Sequence, residues 1–313
     1  MGAIFILGNG FDLAHGLPSN YSDFKKYIIR EYPDAKNDFG YRLYLEDYEE
    51  MSDVDFSSRL IVFAMNKTAG KDWNNFEDSL GYLTFQEKFP TRSKEDQEID
   101  DEDDIMSYLK ACELIANLIK ESTYVWQNFF SNWLKEVNGQ IKNTCEKNVK
   151  LAKCFEGNNL FLSFNYTTVL EDLYGIKSVT HIHKKVGQQL IFGHGYNEPP
   201  INVPPISEPL TYKPFVGSST LDDIIMQFKK DSGSVMRKNI SFFRSIKRTI
   251  DRVYSFGFSY SKPDAEYIKA IIKRISPEAT WFFTEYESND TENLRVKKVK
   301  LRNYGFKGQF GVF

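Results

Sequence analysis

The strongest constraint on the fold lies near the amino terminus. Ile4-Phe5-Ile6-Leu7 runs without a charge and breaks at Gly8-Asn9-Gly10. A short apolar run followed by turn formers is the pattern of a strand buried on both faces, as in a parallel sheet. Glycine takes backbone angles that other residues avoid and lets another group come close to the main chain. A strand passing through a glycine turn into a helix is a common cradle for a dinucleotide. The turn departs from that fingerprint, however. Leu13 stands where a third glycine would fall, Gly16 comes later, and no lysine completes a phosphate-binding P-loop. On this stretch alone a nucleotide loop and a plain structural turn both remain open.

The chain of 313 residues has room for one large domain or two modest ones. Its formal net charge of −3 gives no overall basic field, so nucleic acid is not an expected partner. An aromatic content of 15% speaks for a packed protein rather than a disordered one. Cys112, Cys145 and Cys154 are odd in number and lack metal-type spacing, which suits a reduced, cytoplasmic setting. The first apolar run is too short for a secretory signal and has no basic leader. Ile6 stands where myristoylation needs Ser or Thr. No stretch is long enough to span a membrane, so no membrane partner is expected.

Along the chain, Ser22 reads as a helix N-cap, and Phe24, Tyr27, Ile28 and Tyr32 follow at helical spacing. Residues 33–157 read as a mostly helical insertion. Within it, residues 94–104 are dominated by acid and read as a solvated, mobile excursion. A long amphipathic stripe follows, from Ile105, Tyr108, Leu109 and Cys112 through Trp126, Phe130 and Trp133 to Val137. Strand patterns are expected at 159–164, 179–183, 189–192, 252–258, 278–286 and 296–301. Between them lie helical patterns at 220–231 and 235–250, and one carrying Tyr267, Ile268, Ile271, Ile272 and Ile275. Strands alternating with helices imply an α/β protein with a Rossmann-like, mainly parallel sheet. The core is expected at 1–32 and 158–313.

Several pieces, in this order, carry a resemblance. They are Gly8-Asn9-Gly10-Phe11-Asp12-Leu13 with Gly16-Leu17-Pro18 and Tyr21-Ser22-Asp23-Phe24; Trp73-Asn74-Asn75-Phe76-Glu77-Asp78; Ser163-Phe164-Asn165-Tyr166-Thr167; His181-Ile182-His183 with Phe192-Gly193-His194-Gly195; and Phe256-Gly257-Phe258-Ser259 with Asp264 and Tyr267. Together they resemble the AbiH family of bacterial abortive-infection proteins, which are linked to defence against phage. Their order is in turn similar to that of SIR2 domains, which bind NAD in a Rossmann-like core with a smaller inserted module. Several defence proteins of that group hydrolyse NAD.

The resemblance implies a SIR2-like core with NAD as cofactor or substrate. Gly8, Asn9, Gly10, Phe11, Asp12, Ser259 and Asp264 are then the expected cofactor-binding residues, and Asn165 and His183 the catalytic pair. This sequence departs from the SIR2 pattern at three places. Thr167 stands where aspartate is common, Lys184 follows the histidine where glycine is expected, and Asn9 replaces a small residue in the turn.

Nicotinamide on a ribose is a cationic leaving group, so its departure needs a positioned water, a base and groups that hold the sugar. His183 can accept a proton near neutral pH, and Asn165 can both donate and accept. Three readings follow: an NAD glycohydrolase, a nucleotide-sensing module without catalysis, and a metal-dependent nuclease built on the histidines. A nucleotide is the expected ligand in the first two. No metal ligand set is assigned, since no third ligand accompanies His181 and His183 at a clear spacing. A homo-oligomer and a phage-derived trigger are the remaining partner classes for such a defence role. On this reading Gly10→Val would remove nucleotide binding and leave the fold intact.

Overall fold

The computed structural model describes residues 2–37, 48, 51–89, 102–196 and 218–313. Most of the acidic 94–104 segment and the proline-rich loop near residue 200 lie outside the described residues. Two compact units are present. The first comprises residues 1–20, 131–191 and 230–313, and the second 21–130 and 192–229.

The first unit is built on six strands: β1 (Ile4–Leu7), β2 (Leu160–Ser163), β3 (Val179–His181), β4 (Arg252–Phe256), β5 (Thr280–Phe283) and β6 (Gln309–Val312). Their order is β3-β2-β1-β4-β5-β6, and every pairing between them is parallel. This is the strand order of the doubly wound dinucleotide fold, with the reversal of direction between β1 and β4. All four residues of β1 are buried, as the charge-free run requires. Ile4 and Ile6 join Leu162, Val253, Trp281 and Phe283 in a core that also takes Tyr267, Ile268 and Ile271 from the helix Ala265–Ile272. Phe5 points the other way. Phe161, Phe5, Tyr254 and Phe282 form a stacked row across four strands, with successive centroids 5.3, 4.8 and 4.8 Å apart. Aromatic pairs of this kind add about 0.5–1.5 kcal/mol each beyond the area they bury.

The structure corrects several sequence-based expectations. Residues 296–301 belong to the helix Thr291–Asn303 rather than to a strand. Its buried positions are Leu294, Lys297 and Leu301, at helical spacing, and the Lys297 ammonium pairs with Glu287 at 2.6 Å. The last strand is β6 instead. β3 stops at His181, so Ile182 and His183 lie in a turn, and Lys184 follows at φ 68. Residues 189–192 form no strand. Ser22 lies inside the helix Tyr21–Glu31, not at its cap.

The second unit is helical among its described residues. It contains Tyr21–Glu31, Asp53–Thr68, Ser218–Gln227 and the larger part of the 38-residue helix Glu102–Gly139. The aromatic and acidic patch noted in the sequence is the heart of this unit. Trp73 and Phe76 are fully buried and pack with Phe24 and Phe130. Asp78 accepts the Tyr196 hydroxyl at 2.9 Å. Trp126 donates its indole N–H to the carbonyl of Ser57 at 3.2 Å. No helix among the described residues is long and apolar enough to cross a membrane.

Candidate functional site

Strand register decides which loops meet. Leu7 lies beside Ser163 and beside Phe256, and Ser163 lies beside His181. The segments that follow β1, β2, β3 and β4 therefore leave the sheet at one edge, the carboxyl edge where open α/β sheets bind ligands. Asp12, Asn165, His183 and Asp264 all come from these segments.

The glycine turn after β1 is filled by the protein itself. Gly8 N–H donates to Phe256 O and Gly10 N–H to Gly257 O, both at 3.0 Å, and Phe11 N–H closes back on Gly8 O at 2.8 Å. A Cβ on Gly10 would lie 2.6 Å from the Gly257 Cα, and one on Gly8 would lie 2.6 Å from the Gly257 carbonyl oxygen. Gly257 itself has φ 59, and its Cβ would lie 2.3 Å from the Gly10 Cα. The close approach that glycine permits is made here by a second glycine loop. These three amides are committed, so they offer no donor to a pyrophosphate.

Asp12 sits within the six-residue helix Asn9–Ala14 and is 2% exposed. The Asn165 amide donates from Nδ2 to Asp12 Oδ1 at 2.8 Å and to Gly8 O at 3.0 Å. Thr167 donates its hydroxyl to Asp12 Oδ2 at 2.6 Å. Burial pushes the Asp12 carboxyl up to about 7, against the opposing pull of the Thr167 and Asn165 hydrogen bonds and of nearby His181. With its amide nitrogen spent on Gly8 and Asp12, Asn165 keeps Oδ1 as the atom to offer a ligand.

His183 is 3% exposed and walled by the rings of Phe164, Tyr166 and Tyr267, with centroids 5.5, 6.0 and 6.1 Å away. Phe164 and Tyr166 flank Asn165 in sequence, so the two expected catalytic residues are brought into one neighbourhood. His183 Nε2 lies 3.0 Å from Asp264 Oδ1. That distance suits an ion pair, but the angle is wrong for a hydrogen bond. Neither atom finds another hydrogen-bonding partner among the described residues. Burial alone would raise the Asp264 carboxyl; the facing charges of His183 and Lys230 outweigh it, helped by the hydrogen bond from Ser261, and bring it to about 2. Ser261 holds the second oxygen at 2.8 Å.

The other expected residues fall differently. Asn9 is exposed and accepts the Ser19 hydroxyl at 2.6 Å. Phe11 is core, packed on His15, Tyr174, Phe155 and Phe256. Ser259 is exposed on the loop after β4, with its carbonyl facing Lys300 at 3.4 Å. His15 is held between Phe11 O and the Tyr174 hydroxyl, both at 2.7 Å, and burial lowers its pKa. His181 spans Asn165 O at 3.0 Å and Glu171 Oε1 at 2.9 Å, and so braces the turn that carries Asn165. His194 donates to Ile225 O at 2.9 Å and accepts from the Tyr196 amide at 3.1 Å within the second unit. No group of three or more His, Cys, Asp or Glu side chains that could hold a metal occurs among the described residues. Sequence reasoning gave Thr167, Glu171 and Lys230 no role at this edge. Lys230 and Glu171 carry no motif, whereas the position of Thr167 beside Asn165 was the available signal.

Comparison with known proteins gives one positive result. The chain matches the family described as bacteriophage abortive infection AbiH over residues 4–285. No curated protein and no solved structure matches it.

Proposed function

From the premise that this chain belongs to the AbiH family of bacteriophage abortive-infection proteins, we propose that its parallel-sheet unit binds a nucleotide, with NAD the leading candidate, and hydrolyses the bond between nicotinamide and ribose. The observation that carries the reading is the buried His183–Asp264 pair, whose facing Nε2 and Oδ1 atoms lie at ion-pair distance without a hydrogen bond in line. A buried polar atom left in this way is costly unless a partner arrives. Its place at the carboxyl edge of a sheet in dinucleotide-fold order supports a ligand as that partner.

The residues suit part of NAD better than the rest. His183, Asp264 and the Asn165 oxygen suit water and ribose hydroxyls, whereas the Gly8, Gly10 and Phe11 amides of the glycine turn are already bonded within the protein. In the proposed chemistry His183 takes a proton from the water directed at the ribose carbon. Asp264 stabilises the imidazolium that results, and Asn165 orients the sugar. The leaving group departs with the bonding electron pair and needs no acid.

The burial of His183 favours one second reading, a sensing module that binds a nucleotide without cleaving it. Nicotinamide release from NAD by the purified protein, measured alone and with extract of phage-infected cells, separates the two. His183→Ala should lose about 10²–10⁴-fold in rate while keeping much of its NAD affinity. Full activity in that variant discards the mechanism. NAD binding without release in the unmutated protein leaves the sensor.

A further inference from the structure

The loop after His183 carries chemistry that the proposed reaction does not use. Lys184 stands at φ 68, a left-handed angle that residues with side chains rarely adopt and that often marks a functional constraint. The loop then folds back on the site. Val186 N–H donates to Tyr166 O at 2.8 Å, Ile191 N–H donates to His183 O at 3.0 Å, and the Tyr166 hydroxyl donates to Ile191 O at 3.1 Å. Beside it lies a cleft of about 430 Å³ lined by Lys184, Gln188, Gln189, Leu190, Ile191 and Lys238.

The lining is one-sided. Two lysines and two glutamines are among the residues that line it, and none of the lining residues is acidic. The neighbouring Lys185 is neutralised by Glu171 at 2.8 Å. Lys184 and Lys238 have no carboxylate at ion-pair distance among the described residues. Gln188 turns its oxygen to the Lys185 amide at 3.3 Å, which leaves its NH₂ group as a donor. Lysine binds phosphate as a point charge, and the volume lies within the range of small-molecule sites, roughly 300–1,000 Å³.

We propose that this cleft is a diphosphate site, with Lys184 and Lys238 supplying charge and Gln188 and Gln189 supplying hydrogen bonds. It offers positive charge that the glycine turn, with its Gly8, Gly10 and Phe11 amides already bonded, lacks, and its lining begins one residue beyond His183. The inference deepens the nucleotide reading and rests on it for the identity of the nucleotide, but not for the presence of an anion site.

Calorimetric titration with inorganic pyrophosphate tests it, using the full chain, Lys184→Gly and Lys238→Met. Glycine accepts the left-handed angle without strain, so Lys184→Gly should keep or raise the unfolding temperature while weakening pyrophosphate binding at least tenfold. Lys238→Met keeps the apolar stem and should weaken it similarly. Absence of pyrophosphate binding, or equal affinity in both folded variants, overturns the proposal. ADP-ribose that competes with pyrophosphate and weakens in the same variants assigns the diphosphate to a nucleotide. ADP-ribose that binds without displacing pyrophosphate overturns that assignment. Pyrophosphate binding without nicotinamide release would sink the catalytic reading and leave the cleft. Nicotinamide release with unchanged KM in both lysine variants would sink the cleft and leave the catalytic reading.

Discussion

Asp12 and Asp264 are both buried, 2% and 6% exposed, and each follows a strand at the same edge of the sheet. Their protonation is driven in opposite directions. Burial pushes Asp12 up to about 7, because its partners Thr167 and Asn165 are neutral donors that offset desolvation only in part. The same burial at Asp264 is outweighed by the charges of His183 and Lys230, and the carboxyl comes down to about 2. At Asp12 two neutral donors do not offset burial, whereas at Asp264 facing positive charges do. Two carboxyls driven apart in this way near a histidine are a common arrangement for dividing acid and base roles within one site.

The test with the largest expected effect removes the contact that holds both regions. Asp12 follows the Gly8–Gly10 turn and Asp264 follows Gly257, and these loops touch main chain to main chain. Gly257→Val adds overpacking to a branched side chain at positive φ, together about 2–6 kcal/mol, a large share of the stability of an ordinary protein. Gly10→Val should fail in the same way, which replaces the sequence-based expectation of a folded variant that has merely lost its ligand. Urea denaturation of the two variants measures this. A Gly10→Val protein of normal stability that no longer binds NAD would return the turn to the nucleotide.

Next in size is Asp264→Ala. It removes the carboxylate that faces His183 and Lys230 in a buried place, and breaking a buried pair from one side costs about 3–5 kcal/mol. A loss below about 1 kcal/mol in the same denaturation experiment would mean that the pair is not charged, and the contrast with Asp12 would collapse.

The pH dependence of stability separates the two carboxyls by sign. Asp264 has its folded pKa lowered from 3.8 to about 2, so its contribution is present above pH 4 and disappears as the pH falls towards 2. Asp12 has its folded pKa raised from 3.8 to about 7, so its contribution is present below pH 4 and is lost as the pH rises through about 7. At 1.36 kcal/mol per unit, the Asp12 loss is on the order of 4 kcal/mol. Asp12→Asn should therefore flatten the decline between pH 4 and 7 and leave the acid limb in place. An unchanged decline would place its origin elsewhere.

The contrast also marks what the sequence could reveal. Charge-free runs at Ile4–Leu7 and Leu160–Ser163 name buried parallel strands directly, because such strands need apolar residues on both faces. β6, with Gly311 inside and partly exposed positions around it, carries no such run. The helix Thr291–Asn303 reads as a strand because its inward Lys297 looks like a solvent residue until its partner Glu287 is seen. At the site, Asn165 and His183 are marked by their turns, which leave the sheet at the same edge. The closing of the Gly8–Gly10 turn is invisible locally, since the loop that fills it lies far along the chain. For the same reason Lys230 carries no sign of the aspartate it would face.

The smallest effect probes the neutral side of the comparison. Thr167→Val keeps a similar shape and removes the hydroxyl that lies 2.6 Å from Asp12 Oδ2. A hydrogen bond between these groups contributes about 1 kcal/mol net, which corresponds to somewhat under one pKa unit. If Thr167 donates to an ionised Asp12, its loss should raise the Asp12 pKa further and move the decline in stability to higher pH. If a protonated Asp12 donates to Thr167 instead, the same substitution should lower that pKa. Titration of the Asp12 carboxyl carbon by NMR reads the sign directly. Thr167→Asp sharpens the result by facing Asp12 with a second carboxyl. The two should then titrate as a coupled pair, with one proton held well above the ordinary range. A Thr167→Asp protein in which Asp12 titrates unchanged would show that the hydroxyl contact does not govern its charge, and that the charges facing Asp264 alone set the two carboxyls apart.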